Sequence, residues 1–270
     1  MSRRFRGNRP LLLAVPLILA AMLTPSQAAA GRRAFLFLYD SEIVPEGDVE
    51  LEQWWWSESR IGRNEVRQTP RPAIYWIWSA PVFGLSNHLE LALPFQISAT
   101  GNSTTLQQFS AEASYRFFSR EKDGGFQPLV RVSYHHAIRG NAPSTIEGAF
   151  TLAYGKPNEL HLVANAAATV SLPWPEVQPP LPQPLEPSVG AGISYPLVPG
   201  GEWRIATEFL AEFQVSSQST SSNFPRYFLG GALSWTRGRV WITAGTMVGL
   251  TGLSSASPPF IPRLLWAVAL

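Results

Sequence analysis

The chain contains no cysteine. Disulfides and thiolate chemistry therefore have no part in its fold or function, although an exported compartment would permit both. Beyond its first thirty residues it also lacks any apolar run long enough for a membrane-crossing helix. Glycine, serine, proline or a charge interrupts every stretch before the roughly 20 residues such a helix needs. Histidine is scarce, with four in 270 residues. His88 and His161 stand alone, and His135 and His136 are adjacent, so on a strand their rings point to opposite faces and cannot chelate one ion together. No metal, cofactor or catalytic residue is expected.

A strongly basic surface is missing too, despite a pI near 9.1. Much of the positive charge sits at the start, where Arg3, Arg4, Arg6 and Arg9 precede an apolar run over residues 11–23 and the small residues Ala28, Ala29 and Ala30. That order is the n-region, h-region and cleavage site of a signal peptide, with cleavage after Ala28 or Ala30. Pro10 and Pro16 bracket or interrupt a run already too short to anchor the chain. Removing residues 1–30 takes four arginines and no acid from a chain of formal charge +2, leaving −2. Nucleic acid is not a partner that this composition suggests.

What the chain does have is alternation. Leu89, Leu91, Leu93, Phe95 and Ile97 share one face of an extended segment, while His88, Glu90, Ala92 and Gln96 share the other. The pattern recurs in twelve segments, from residues 48–58 to residues 261–270, most of about ten residues, the length a tilted strand needs to cross a bilayer. The connections alternate in length. Long ones are expected at 59–71, 99–105, 137–144, 171–187, 214–225 and 251–260, and short ones at 81–87, 119–125, 155–158, 196–201 and 237–238. Short turns on one side and long loops on the other characterise outer-membrane barrels, and a closed barrel is the only way besides helices to satisfy every backbone group in lipid. The predicted fold is all-β: a single antiparallel up-and-down barrel of about twelve strands over residues 48–270. Residues 31–47 are a periplasmic lead-in or an extra strand, the aromatic-rich stretch 33–39 being open to either.

The two faces differ in chemistry. Glu90, Glu112, Arg116, Arg131 and Glu147 fall opposite the apolar face, as do His161, Asn165, Arg204, Glu208 and Glu212, which makes all ten candidates to line a lumen. Acids and arginines on neighbouring strands can pair and knit such an interior; an acidic excess would instead favour cations in an open pore. On the apolar face, Tyr115, Phe117, Tyr154, Tyr195, Trp203 and Trp235 lie next to short turns, and Trp55, Tyr134, Phe213 and Tyr227 toward long loops. Two rings of amphipathic side chains are expected where a barrel meets the two membrane–water interfaces. A water-soluble β-protein with its apolar faces turned inward would show the same alternation.

The last strand places Leu264, Trp266, Val268 and Leu270 on one face and finishes at Leu270. It resembles the terminal signal by which the barrel-assembly machinery recognises outer-membrane proteins, with Leu270 where phenylalanine is usual. With phrases such as Gly84-Leu85-Ser86-Asn87-His88-Leu89-Glu90-Leu91 and Val44-Pro45-Glu46-Gly47-Asp48-Val49-Glu50-Leu51, the chain as a whole resembles the porin-like and transporter barrels of the Gram-negative outer membrane. The resemblance implies outer-membrane lipid and the assembly machinery, through residues 261–270, as partners, and a pore or transporter for ions or small solutes as the function. It names no solute and no oligomeric state. Two other roles fit a barrel. One is a plugged structural or adhesive barrel. The other is a lipid-modifying enzyme using Ser133 and His135, which share a face, with Glu112 or Glu147 on a neighbouring strand. Pro173, Pro175, Pro179, Pro180, Pro182, Pro184 and Pro187 make loop 171–187 a stiff polyproline segment.

Overall fold

The computed structural model describes residues 34–58, 74–100, 103–118, 125–138, 143–155, 159–172, 185–199, 201–213, 225–251 and 260–270. The signal peptide and most of the proline-rich loop lie outside the described residues. Among the described residues, thirteen strand segments follow one another: β1 (Val49–Glu58), β2 (Ile74–Gly84), β3 (Leu89–Ala92), β4 (Phe95–Thr100), β5 (Ser103–Arg116), β6 (Phe126–Ala137), β7 (Thr145–Gly155), β8 (His161–Ser171), β9 (Leu185–Pro196), β10 (Trp203–Glu212), β11 (Arg226–Arg237), β12 (Val240–Gly249) and β13 (Phe260–Ala269). All pair antiparallel with their neighbours, and β13 closes on β1 from Glu50 opposite Ala269 to Trp56 opposite Arg263. Among the described residues no sheet edge is left unpaired, which is what a wall in lipid demands.

β3 and β4 together fill one position between β2 and β5, so thirteen segments make a twelve-strand barrel. The sequence pattern reads this position as one strand over 88–98. It is broken at Leu93 and Pro94 because a proline has no N–H for the ladder; there Leu93 N donates to Pro81 O at 3.1 Å and Ser110 N to Pro94 O at 2.8 Å. A register shift follows between Gln96 and Ile97. One expected loop is also corrected. Thr100 pairs with Ser103, so the connection read as 99–105 spans only residues 101–102 and the alternation of long and short is not strict.

The wall is inverted relative to a soluble protein. Phe109, Val132, Phe150, Ile193, Ile205, Leu229 and Val248 are exposed on the outside. Ser133, Thr151, Ser194, Arg204, Glu208, Ser234 and Thr243 are buried on the inside. Water would not tolerate an apolar belt running round the whole circumference, whereas lipid requires one.

Ala153, Ala206, Ala232, Ala267 and Ala269 form a buried cluster with Ala34, Phe35, Leu36 and Leu38. The last four belong to the segment before β1, which therefore lies inside the barrel. Residues 34–46 form neither the edge strand nor the outside lead-in that the sequence suggests. Glycine makes the room: at Gly192 an added Cβ would lie 2.6 Å from Phe35 Cε1 and 2.8 Å from Leu38 Cδ1, and at Gly190 it would lie 2.4 Å from Leu38 Cδ2. These are closer than real Cβ contacts, so any larger residue would push the segment away.

Candidate functional site

The site is the lumen and the segment it holds. The chain passes into β1 at the short-turn end, where Gly47, with φ +82°, donates from its N–H to Gly84 O in the β2–β3 hairpin at 2.8 Å. Toward its N-terminus the segment runs up the interior. Ile43 and Val44 are buried, the latter against Trp78, Ala80, Val82 and Ala92. Val44 N donates to Glu90 Oε2 at 2.7 Å.

Above this anchor the wall grips both side chains and main chain. His161 Nε2 and Asp40 Oδ1 are 2.8 Å apart, each side chain 3% exposed. The Arg131 guanidinium sits 3.1 Å from the centre of the Tyr39 ring, held there by Glu112 at 3.5 Å and Glu147 at 2.5 Å. A cation over an aromatic face gains most where water is excluded. Asn165 takes both main-chain groups of one residue: its Oδ1 accepts from Tyr39 N at 2.6 Å and its Nδ2 donates to Tyr39 O at 2.9 Å. A third bond, Nδ2 to Thr151 Oγ1 at 3.0 Å, fixes the amide's orientation.

The strongest grip comes from β10. The backbone bends over residues 36–38 so that three successive N–H groups converge on one carboxylate. Leu36 N reaches Glu208 Oε1 at 2.7 Å, and Phe37 N and Leu38 N reach Oε2 at 2.8 and 3.0 Å. Such a nest of amides stabilises a buried carboxylate. Opposite it, Arg263 Nη1 donates to Leu36 O at 2.5 Å, and its guanidinium lies over the Phe37 ring at 4.3 Å and within 5.3 Å of Trp54 and Trp56. Those two tryptophans face inward across from Trp78 and Trp76, with ring centres 4.5 and 6.0 Å apart. Beside Tyr39, Asp40, Glu90, Glu112 and Arg131 a cavity of about 10 Å³ remains, room for at most one water.

Of the ten residues read as lumen-lining, Glu90, Arg131, His161, Asn165 and Glu208 touch the segment, and Glu112 and Glu147 position Arg131. Arg116 turns instead to Gln127 Oε1, at 3.2 and 3.4 Å. Arg204 donates to Ser194 Oγ at 2.7 Å and Glu159 O at 3.0 Å. Glu212 pairs with Arg226 at 2.9 Å near the long-loop end, half exposed. Sequence reading missed Arg263, which sits in an otherwise apolar strand beside Pro262, and Gly190 and Gly192, whose spacing on one strand face was the available signal.

On the outer surface Trp55, Tyr115, Phe117, Tyr134, Tyr154, Tyr195, Trp203 and Phe213 are exposed, while Tyr227 and Trp235 are half buried. Tyr115 and Phe117 pack edge to face at 5.4 Å, and Trp235 Nε1 donates to Glu202 at 2.9 Å. The hydrolase constellation is not assembled. His135 Nδ1 pairs with Ser110 Oγ at 2.7 Å, Ser133 Oγ is buried with no hydrogen-bond partner, and both candidate carboxylates are engaged by Arg131.

No protein-family model and no curated protein matches the chain. Solved structures do. The COG4313 outer membrane channel from Pseudomonas putida F1 superposes with a TM-score of 0.59 at 9% identity, over 87% of this chain and 100% of that one. The NanC porin superposes with a TM-score of 0.57 at 8% identity, over 82% and 100%. The chain has the fold of these outer-membrane channels.

Proposed function

We propose that the protein is an outer-membrane channel for ions or small solutes, gated by its own residues 34–46. The observation that carries this reading is the way the segment is held. Five wall strands (β3, β6, β8, β10 and β13) each offer it a polar side chain, and these polar contacts, beside the apolar packing of Phe35, Leu36, Leu38 and Val44, are hydrogen bonds, ion pairs and a cation–ring contact that water can replace when it leaves. A purely structural barrel needs no such arrangement, since it can fill its lumen with its own wall side chains. The fold shared with outer-membrane channels supports the location.

The released lumen prefers cations. Glu50, Glu52, Glu90, Glu112, Glu147 and Glu208 lie on the inner face against Arg116, Arg131, Arg204 and Arg263, and departure of the segment leaves Glu208 and Glu90 without the amides that now stabilise them. The test is planar-bilayer recording of the refolded full chain: long closed periods broken by cation-selective openings are expected. A fully inserted barrel that never conducts, even when the segment's contacts are cut, would instead make the plugged structural barrel the right account.

A further inference from the structure

The lumen wall reads main chain. Glu208 takes three successive N–H groups, Asn165 takes the N–H and C=O of one residue, Arg263 takes a C=O and Glu90 an N–H. The segment's side chains are met by Arg131 at Tyr39, His161 at Asp40, Arg263 at Phe37, apolar wall residues around Val44, and glycine recesses that receive Phe35 and Leu38 by size. None of the main-chain contacts depends on the tether to β1, and an amide satisfied by a carboxylate or a carboxamide is satisfied by it in any chain. Recognition of this kind is what extended-peptide binders use: main-chain bonds supply affinity and side-chain recesses supply selectivity.

We propose that the lumen is a binding site for short apolar peptides, occupied in this structure by the chain's own residues 34–46. A free peptide of that character competes for the same groups, so the solute class that opens or traverses the channel includes peptides. The inference rests on the gate reading above in that the tethered segment must be able to leave. The tether raises its effective concentration to the millimolar range, so in the native chain a free peptide binds weakly.

The experiment uses the full chain carrying Leu36→Asp and Leu38→Asp, which spoils the segment and leaves the wall intact. Folding is confirmed by heat-modifiable gel migration. Should that variant not fold, Tyr39→Ala with Asp40→Ala, which cuts the contacts to Arg131 and His161, takes its place. The probe is a fluorescent synthetic peptide with the sequence of residues 34–46, followed by anisotropy in detergent, with conductance recorded in parallel. Saturable binding is expected, at least tenfold tighter than to the native chain. It should weaken at least tenfold when Asn165→Ala is added, or when the peptide is N-methylated at the residues matching Leu36, Phe37 and Leu38. Absence of binding to the folded variant, or undiminished binding of the N-methylated peptide, overturns the proposal. If conductance rises without peptide binding, the gate stands and the peptide site falls. If the peptide binds while conductance stays at the native level, the site stands and the gate falls.

Discussion

Replacing Glu208 by alanine removes the acceptor of three buried N–H groups at 2.7, 2.8 and 3.0 Å. A hydrogen bond to a charged group contributes about 1.5–3 kcal/mol, so three lost together would approach 5–9 kcal/mol if the amides stayed dry. Two effects reduce this. The released segment rehydrates its amides, and the substitution also removes the desolvation cost of a carboxylate that is 1% exposed. A net loss of about 3 kcal/mol remains, which shifts the docked-to-released ratio on the order of a hundredfold. Two assays read it: single-channel recording should show a large rise in open probability, and hydrogen exchange should show the Leu36, Phe37 and Leu38 amides losing protection while wall amides keep theirs. Glu208→Gln should fall between, because its NH2 group faces donors where the carboxylate faced them with acceptors. Native-like exchange at these three amides and native-like gating in Glu208→Ala would refute the reasoning.

Other expectations follow from the same contacts. Gly192→Val places a side chain where Phe35 and Leu38 now pack; overpacking of this kind costs about 1–3 kcal/mol, so the barrel should still migrate as folded while its conductance rises. Asp40→Ala and His161→Ala should each weaken docking of the segment by several-fold or more, and the double variant should cost less than the sum of the two, since each single change strands a buried partner; strict additivity in exchange rates would show the pair to be uncoupled. Phe150→Arg on the outer wall should destabilise the barrel in lipid by roughly 2–4 kcal/mol, measured by urea titration in vesicles; no effect would argue that this face does not meet lipid. In a released background, Glu112→Gln with Glu147→Gln should lower the cation-to-anion permeability ratio taken from reversal potentials in a salt gradient.

The barrel itself was legible because a two-residue period is a local property. Phe150 against Glu147, or Ile205 against Arg204 and Glu208, declares two chemically distinct faces without knowledge of the neighbours. Which face meets lipid needed more, and came from the belt of aromatics and the absence of any other way to satisfy the backbone. The breaks were less legible. Pro94 marks the interruption between β3 and β4, yet a proline at a strand edge gives the same signal, and the pairing of Thr100 with Ser103 is hidden because the polar residues of β4 and β5 there look like a loop.

The segment inside the lumen was not legible at all as such. Phe35, Leu36 and Leu38 suit an edge strand equally well, and they are buried against wall residues far along the chain: Leu36 N and Leu38 N donate to Glu208, 172 and 170 residues away, and Leu36 O accepts from Arg263, 227 residues away. No local pattern encodes those distances. The polar residues that hold the segment were visible as a lumen-facing set, but their purpose appears only when Glu208 is seen accepting three backbone amides where a cross-strand arginine was expected.

The most direct test of the account fixes the segment in place. The native chain has no cysteine, so Asp40→Cys with His161→Cys introduces a single reactive pair at a point where the two side chains now meet. Single-channel current from this variant is recorded after cross-linking with an oxidant or a short reducible reagent, and again after reduction. Silence in the cross-linked state and opening on reduction are predicted. Failure of the folded barrel to cross-link, or equal current in the two states, would contradict the claim that residues 34–46 occupy and close the lumen.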